Sequence, residues 1–300
     1  MTEPKLLSTL DMARFVADGY LRLDAVVPDE INQGVMAELR ERLGKPSHEP
    51  SPFQPRSGTP LRDCYPADSA IRRVYEVPEI AGAILSLVGS NPLFDHHAIH
   101  FLPRGSDYIQ DLHCDAAIDS GDPPFDIQLF YFPHDVAEGA GGTRFVPGSH
   151  IRNIHENSVA RYQHIAGEQY FTGPAGTVLI FHQGVWHAGQ PNPSDDHRWM
   201  FKLRLNPTEP QVRLWDTSDY DDAVSGSWDH MFATTAEGDT VANHLRKMQA
   251  WSFDGEYRLE TMERVRLWRY LSGDEHFDVD WYRTRIEGRS ALIDRDGVVG

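Results

Sequence analysis

Cysteine is almost absent from this sequence. Its 300 residues include two cysteines, Cys64 and Cys114. Two are too few for the disulfide framework that stabilises small secreted proteins. Cys114 also lies between two candidate metal ligands, where a reduced thiol is suitable. We therefore expect this chain to fold in a reducing compartment.

Positive charge is scarce as well. Lysine and arginine total 28 residues against 45 aspartates and glutamates, and the net charge at pH 7 is −17. Surfaces that bind nucleic acids or anionic membranes need clustered basic side chains. The sequence therefore argues against nucleic-acid and membrane partners. It also has no evident basic patch for the phosphates of an acyl-CoA.

Long apolar runs are missing too. No stretch approaches the ~20 apolar residues that a membrane-spanning helix needs. Residues 1–7 lack the apolar run and the cleavage site of a secretory signal. Together with the low cysteine content, these absences predict a cytoplasmic protein.

The amino-terminal third carries helical patterns. Ser8 precedes an amphipathic run that ends at Gly19, as in a capped helix. Six prolines between residues 45 and 68 predict an irregular loop that borders the site. We predict helices at about 8–19, 28–43 and 70–87, the last continuing through Pro78, and a strand at 20–24.

Short strand patterns dominate from residue 93 onward. They are rich in β-branched and aromatic residues and are separated by glycine, proline, asparagine and aspartate. Helices followed by many short strands predict a mainly β fold of the α+β class, an antiparallel barrel or jelly roll with flanking helices. The predicted strands are 93–94, 98–102, 126–132, 143–146, 177–181 and 199–205.

The composition changes after Pro207. The segment 216–226 is acidic and turn-rich, and helical patterns follow at 240–251 and 256–271. The last helix has an apolar residue at every third position, which predicts packing on the body or on another subunit. We divide the chain into a jelly-roll domain with amino-terminal helices, 1–206, and a largely helical extension, 207–300, through which a homo-oligomer can form.

The segment from Gln110 to Asp115 carries the main functional signal. On an extended backbone, residues i and i+2 face the same side, so His113 and Asp115 can bind one metal ion together. A third ligand must come from elsewhere, and His182 and His187, which follow a predicted strand, are the candidates. Two histidines and one carboxylate on one face of an ion are typical of non-haem Fe(II) oxygenases.

The remaining histidines are interpreted as structural. The chain has 15 histidines, so chance pairs are common. His96, His97 and His100 lie in a strand region without a placed carboxylate, and we expect structural or pocket-lining roles. His150 follows a Pro-Gly turn, where a hydrogen-bonded loop histidine is expected.

Arg198 follows His187 by eleven residues, with a turn between them. A return strand can bring it back beside the metal ligands. A guanidinium binds a carboxylate through two hydrogen bonds, as an organic-acid co-substrate requires. The alternative is a salt bridge at the mouth of the barrel, and the residues alone favour neither.

Four elements stand in a characteristic order: Phe15–Leu21, Gln110–Asp115, Gly142–His150, and His187 with Arg198. In this order they resemble the phytanoyl-CoA dioxygenase family of Fe(II)/2-oxoglutarate oxygenases. The resemblance spans roughly residues 8–206. The Pro-Gly-Ser-His turn and the His-to-Arg spacing make it more specific than the metal motif alone.

The resemblance implies a double-stranded β-helix, a cupin-like jelly roll. It implies that iron binds to His113, Asp115 and His187, and that Arg198 pairs with the distal carboxylate of 2-oxoglutarate. In one branch of the family, a glutamine and a threonine also hold this co-substrate. Gln110 and Thr143 match those two positions, whereas Gly189 replaces the serine of many relatives.

The implied activity is that of a dioxygenase that uses Fe(II), 2-oxoglutarate and O2. We expect it to hydroxylate, or otherwise oxidise, a C–H bond of a small molecule in specialised metabolism. The carboxylate at Asp115 favours hydroxylation, because some relatives with alanine or glycine there admit a halide. The candidate substrate contacts are Gln128, Phe130 and Trp186, with core packing as the alternative for the two aromatic residues.

Two other functions remain open. A cupin-type metal enzyme would keep the barrel and the metal but would not use 2-oxoglutarate. A non-catalytic family member would bind a ligand or a partner, with the carboxy-terminal helices as its interaction surface.

The first prediction concerns Asp115. Replacing it with alanine removes one of three expected iron ligands, so the variant should lose hydroxylation and bind iron more weakly. Turnover and iron affinity are measured side by side with the parent protein. Unchanged turnover would remove Asp115 from the site.

Overall fold

Antiparallel β-strands form the centre of the molecule. The computed structural model describes residues 3–43, 55–115, 123–152, 164–225, 238–252 and 257–279. The strands in this part of the chain are β1 Tyr20–Leu23, β2 Leu93–Leu102, β3 Ile127–Phe132, β4 Arg144–Phe145, β5 Gln169–Tyr170, β6 Thr177–His182, β7 His187–Ala188 and β8 Arg198–Asn206.

The strands form two sheets, one of five strands in the order β1-β6-β3-β8-β2 and one of three in the order β5-β4-β7. All pairings within them are antiparallel. The predicted mainly β architecture with flanking helices is confirmed. Strand β2 is a single strand with an irregularity between Phe94 and His97, where two separate strands were expected.

Helices precede and follow the strands. They are α1 Thr9–Asp18, α2 Asp29–Leu43, α3 Ala70–Tyr75, α4 Pro78–Val88, α5 Tyr220–Val224, α6 Val241–Leu245 and α7 Tyr257–Ser272, with short 3-10 turns at Leu61–Asp63 and Ser149–Ile151. Ser8 caps α1 through a reciprocal box with Asp11, and Gly19 ends it in the left-handed conformation. None of the helices in the described residues combines the length and the apolarity that a bilayer span requires.

The prediction of one continuous helix at 70–87 is wrong, because the segment forms two helices, α3 and α4, with a break before Pro78. Val77 has extended backbone angles, and Pro78 starts the next helix. The proline ring disfavours helical geometry in the residue before it but suits the first helical position. Proline therefore acts here as a helix start.

The helix expected at 240–251 is also shorter than predicted, since α6 ends at Leu245. The chain then turns, and the Gln249 amide donates to the Asp18 carboxylate at 3.0 Å. The Trp251 indole donates to the carbonyl of Pro147 at 3.1 Å. These tertiary bonds hold the segment in a non-helical path. The acidic stretch at 216–226 contains the short helix α5, where turns were expected.

Helix α7 packs on the body through most of its surface. Four of the five residues in its predicted stripe are buried, namely Met262, Val265, Trp268 and Leu271, whereas Leu259 is 59% exposed. A spacing of three drifts around a helix of 3.6 residues per turn, so the first member leaves the packed face. The stripe is therefore largely used within this chain.

Two groups of buried apolar side chains hold the fold together. The larger joins the helices to one face of the five-stranded sheet and includes residues from α1, α4 and α7. The second lies at the opposite face, where Phe130 and Phe181 meet Phe145 and Phe171 of the smaller sheet region. This inner face also carries the residues of the site. Of the loop expected at 45–68, residues 45–54 lie outside the described residues.

The second prediction concerns Gly19, whose backbone has φ +75°. A Cβ there would lie 2.7 Å from Val185 Cγ2 and would also meet the His150 ring. Gly19→Ala should therefore lower the free energy of unfolding by roughly 2–5 kcal/mol, from backbone strain and overpacking together. Urea denaturation measures the change.

Gly58 is the matched control. It also has positive φ, but nothing lies within 4 Å of its Cβ position. Gly58→Ala should cost only the backbone term of about 1–2 kcal/mol. Equal losses in the two variants would contradict the close packing assigned to Gly19.

Candidate active site

Backbone pairing joins the two histidines that the sequence separates. His113 and His187 exchange hydrogen bonds, with N–H to carbonyl distances of 3.0 and 2.8 Å. Further along the same two segments, the Gln110 N–H donates to Gly189 and Ser106 pairs with Asn192. The His113 and His187 rings consequently lie side by side, with centroids 4.5 Å apart.

Asp115 completes a group of three possible metal ligands. Its Oδ1 lies 3.6 Å from His113 Nε2, and its Oδ2 lies 3.5 Å from His187 Nε2. One ligand atom from each of the three residues lies within 4.8 Å of the others. Two ligands at the usual ~2.1 Å from a metal ion are at most about 4.2 Å apart. The two contacts of Asp115 therefore fit a single ion.

Hydrogen bonds fix the orientation of both rings. His113 Nδ1 donates to the carbonyl of Asp111 at 2.9 Å, and His187 Nδ1 donates to the carbonyl of Val185 at 2.9 Å. Each bond places the proton on Nδ1 and leaves the Nε2 lone pair free to bind a metal. Both Nε2 atoms face Asp115, so the donor set suits a divalent ion.

Charge and burial put the ligands in their metal-binding forms. Burial lowers the pKa of His187 to about 3, so this imidazole is neutral. Burial acts to raise the pKa of the Asp115 carboxyl, but the charge and the hydrogen bond of Lys202 hold that pKa below its usual value. A neutral imidazole and an ionised carboxylate are the forms that bind iron.

Arg198 is the first residue of β8 and lies on the inner face of the five-stranded sheet. Its Nε donates to the carbonyl of Gly141 at 2.8 Å, and its side chain is buried. Burial lowers its pKa to about 10, so the guanidinium stays charged at neutral pH. Within the described residues its Nη1 has no hydrogen-bond partner. A buried, charged donor of this kind fits the distal carboxylate of 2-oxoglutarate.

Gln110 and Thr143 are the other two residues expected to contact the co-substrate. The Gln110 Oε1 accepts from the Gly189 N–H at 3.0 Å, and its Nε2 lies 3.5 Å from His113 Nε2. The Thr143 hydroxyl is buried and contacts Met200 Sδ at 3.8 Å. A thioether is a weak acceptor, so this hydroxyl can donate to a better one. Both placements suit contacts with the co-substrate.

The three candidate substrate contacts do not share one environment. Gln128 is buried, and its Oε1 has no partner within the described chain. Phe130 packs edge-on against His187, with ring centroids 5.2 Å apart. Trp186 belongs to a separate cluster and stacks on Trp251 at 6.2 Å. Their roles toward a substrate stay predictions.

Lys202 is a site residue that the sequence reasoning missed. It lies four residues after Arg198 on β8, and its Nζ donates to Asp115 Oδ2. Arg204, two residues further, donates to Asp126 at 2.7 Å and to the Asp115 carbonyl at 3.4 Å. Alternate residues of a strand share a face, so period-2 counting from Arg198 would have found both.

Three other histidines lie in or near the core, and His182 among them was the alternative candidate for the third metal ligand. His100 pairs with Met200 on the inner face, and burial lowers its pKa to about 4. His182 faces the helical side, where its ring lies 4.9 Å from His150. His150 Nε2 donates to the carbonyl of Val16 at 3.2 Å. None of the three belongs to the metal-ligand group.

Comparisons with known proteins agree with this geometry. The sequence profile of phytanoyl-CoA dioxygenase (PhyH) matches residues 15–200. L-proline trans-4-hydroxylase from Streptomyces griseoviridis is 22% identical over 229 residues, which cover 64% of this chain and 84% of that protein.

Solved structures with a similar fold include the non-heme α-ketoglutarate-dependent carbocyclase SnoK from nogalamycin biosynthesis. It is 18% identical, with a TM-score of 0.51, and covers 75% of this chain and 94% of its own. EctD from S. alaskensis, solved with 2-oxoglutarate and 5-hydroxyectoine, is 18% identical, with a TM-score of 0.51 and coverage of 69% and 78%. The double-stranded β-helix expected from the resemblance is confirmed.

The profile covers more than half of the chain, and the His-Asp-His group lies within the matched residues. The chain therefore belongs to the phytanoyl-CoA dioxygenase family, whose members use Fe(II), 2-oxoglutarate and O2, and it is an oxidoreductase.

Proposed function

We propose that this protein hydroxylates an unactivated C–H bond of a small molecule, with iron bound by His113, Asp115 and His187. The observation that supports it most strongly is the convergence of these three ligands beside the buried guanidinium of Arg198. When bound, iron and 2-oxoglutarate activate O2 for the oxidation. The protein positions the reactants, provides charged side chains that bind them and excludes water.

Each residue of the site has a defined task in this proposal. Arg198 pairs with the distal carboxylate of 2-oxoglutarate, and its burial strengthens that pair. Gln110 and Thr143 would help to hold the co-substrate. Gln128 and Phe130 border the space that remains for the substrate on the inner face of β3. Trp186 lies in a separate apolar cluster, and we expect it to contact the substrate from there.

The names of the relatives bear on the substrate. One hydroxylates L-proline, and one comes from nogalamycin biosynthesis. We propose a small molecule of specialised metabolism for this chain on that basis. We also propose a cytoplasmic location, because the sequence has two cysteines, too few for a disulfide framework. The division at residues 206 and 207 and a homo-oligomer through the carboxy-terminal helices remain predictions.

The alternative of a cupin-type enzyme without 2-oxoglutarate gives Arg198 no function in the interior. A barrel-mouth salt bridge would need an acidic partner, whereas Arg198 Nε donates to the backbone carbonyl of Gly141. The alternative of a non-catalytic binder leaves the aligned histidines and the ionised carboxylate without a use. Both alternatives are weaker than the oxygenase proposal for these reasons.

The third prediction concerns Arg198. Arg198→Met keeps the apolar stem and removes the guanidinium, so 2-oxoglutarate affinity should fall on the order of 100-fold. Calorimetric titration of 2-oxoglutarate into Ni(II)-loaded protein measures it. Arg62→Met, at an exposed arginine, is the control and should bind normally. Equal affinity in the Arg198 variant would favour the enzyme class that does not use 2-oxoglutarate.

The fourth prediction concerns turnover. With Fe(II), 2-oxoglutarate and O2, the protein should form succinate faster when its substrate is present, and the product should gain one oxygen atom. A panel of small molecules that includes L-proline is screened by mass spectrometry, with 18O2 as the oxygen source. Tight iron binding without succinate from any compound would instead support the non-catalytic alternative.

A further inference from the structure

Lys202 occupies an unusual position for a lysine. Its side chain is 8% exposed, and it projects from β8 onto the inner face beside Asp115. In the sheet it lies between Phe130 on one side and Ala98 on the other. The Nζ atom stands 5.5 Å from the centre of the Phe130 ring. Among the described residues, Lys202 forms its ion pair with the Asp115 carboxylate.

The three metal ligands are held in different ways. His113 and His187 are fixed twice, by their reciprocal backbone bonds and by their Nδ1 donors. Asp115 lies outside the named strands, at a bend. Its carboxylate is held by Lys202, and its carbonyl accepts from Arg204. The orientation of this third ligand therefore depends on β8.

The two oxygens of Asp115 have different partners. Oδ2 accepts the hydrogen bond from Lys202 and also lies 3.5 Å from His187 Nε2, whereas Oδ1 lies 3.6 Å from His113 Nε2. Because the carboxylate is one planar group, a donor held on Oδ2 also fixes the direction of Oδ1.

We propose that Lys202 is a positioning residue that holds Asp115 Oδ2 and so fixes the carboxylate in the orientation that faces both imidazoles. The proposal rests on the proposed metal site. The partner of a metal-bound carboxylate commonly contributes to metal affinity in this way. Without Lys202 the carboxylate can rotate away from the two histidines.

Electrostatics alone predicts the opposite effect on metal binding. An ammonium beside a divalent cation repels it, so removing the charge without any positioning role would strengthen metal binding. If Lys202 orients Asp115, removing it should weaken binding instead. The sign of the change therefore separates the two accounts.

The fifth prediction uses two neutral variants. Lys202→Met removes both the charge and the donor, and its affinity for Mn(II) should fall about 10- to 100-fold. Lys202→Gln removes the charge but keeps an N–H donor, and its loss should be smaller. Calorimetric titration of Mn(II) gives both affinities, and thermal unfolding without metal checks that each variant is folded.

Lys247→Met is the matched control. Lys247 forms an ion pair with Asp18 elsewhere on the molecule, so the variant loses the same charge and an aspartate partner. Its Mn(II) affinity should equal that of the parent. If Lys202→Met binds Mn(II) as tightly as the parent or more tightly, the role of Lys202 is overturned. If the methionine variant does not fold, the same result in Lys202→Gln overturns it.

The Asp115→Ala variant distinguishes failure of this proposal from failure of the proposed function. Weak Mn(II) binding in Asp115→Ala with unchanged binding in Lys202→Met would overturn the Lys202 role alone. Unchanged binding in both variants would overturn the metal site itself, and the Lys202 role with it.

Discussion

The reciprocal backbone bonds between His113 and His187 are the constraint on which the site depends. They join two segments that lie far apart in the sequence and set both rings on one side of a short two-stranded ladder. The same ladder places Gln110 against Gly189. A one-residue shift in this register would turn one imidazole to the other face. Strand pairing thus places the two histidines that we propose as metal ligands, before any metal binds.

Strand β8 is the second element on which the site depends. Its alternate residues Arg198, Lys202 and Arg204 put three cations on the inner face of a chain whose net charge is −17. Lys202 and Arg204 have aspartate partners, whereas Arg198 keeps a buried donor that has no partner in the described part of the chain. Burial in a low-dielectric interior strengthens each of these interactions. In our proposal, Arg198 is the one of these three cations that binds the carboxylate of a ligand, and the other two organise the protein.

The sequence predicted most of this architecture because the relevant signals are local. The i and i+2 spacing of His113 and Asp115, the capped helix at Ser8 and the alternating strands all depend on neighbouring residues. The choice between His182 and His187 depended on the resemblance to a family. The structure separates them physically, since His182 still belongs to β6 and faces the helices, whereas His187 lies on the inner face.

Other features escaped because they depend on distant contacts or very short elements. Strands β5 and β7 have two residues each, which is too few to show the alternating pattern of a strand in the sequence. The end of α6 is set by bonds from Gln249 and Trp251 to remote segments. Lys202 resembled an ordinary strand lysine because its partner Asp115 is distant in the chain. Local pattern thus predicted the elements, while tertiary contacts decided where they end and which residue holds the Asp115 carboxylate.

An anaerobic crystal structure with Fe(II) and 2-oxoglutarate would test the central claim most directly. The account predicts one iron ion bonded to Nε2 of His113, Nε2 of His187 and one oxygen of Asp115. It also predicts the distal carboxylate of 2-oxoglutarate on Arg198. Iron bound at other residues, or a co-substrate carboxylate away from Arg198, would contradict it.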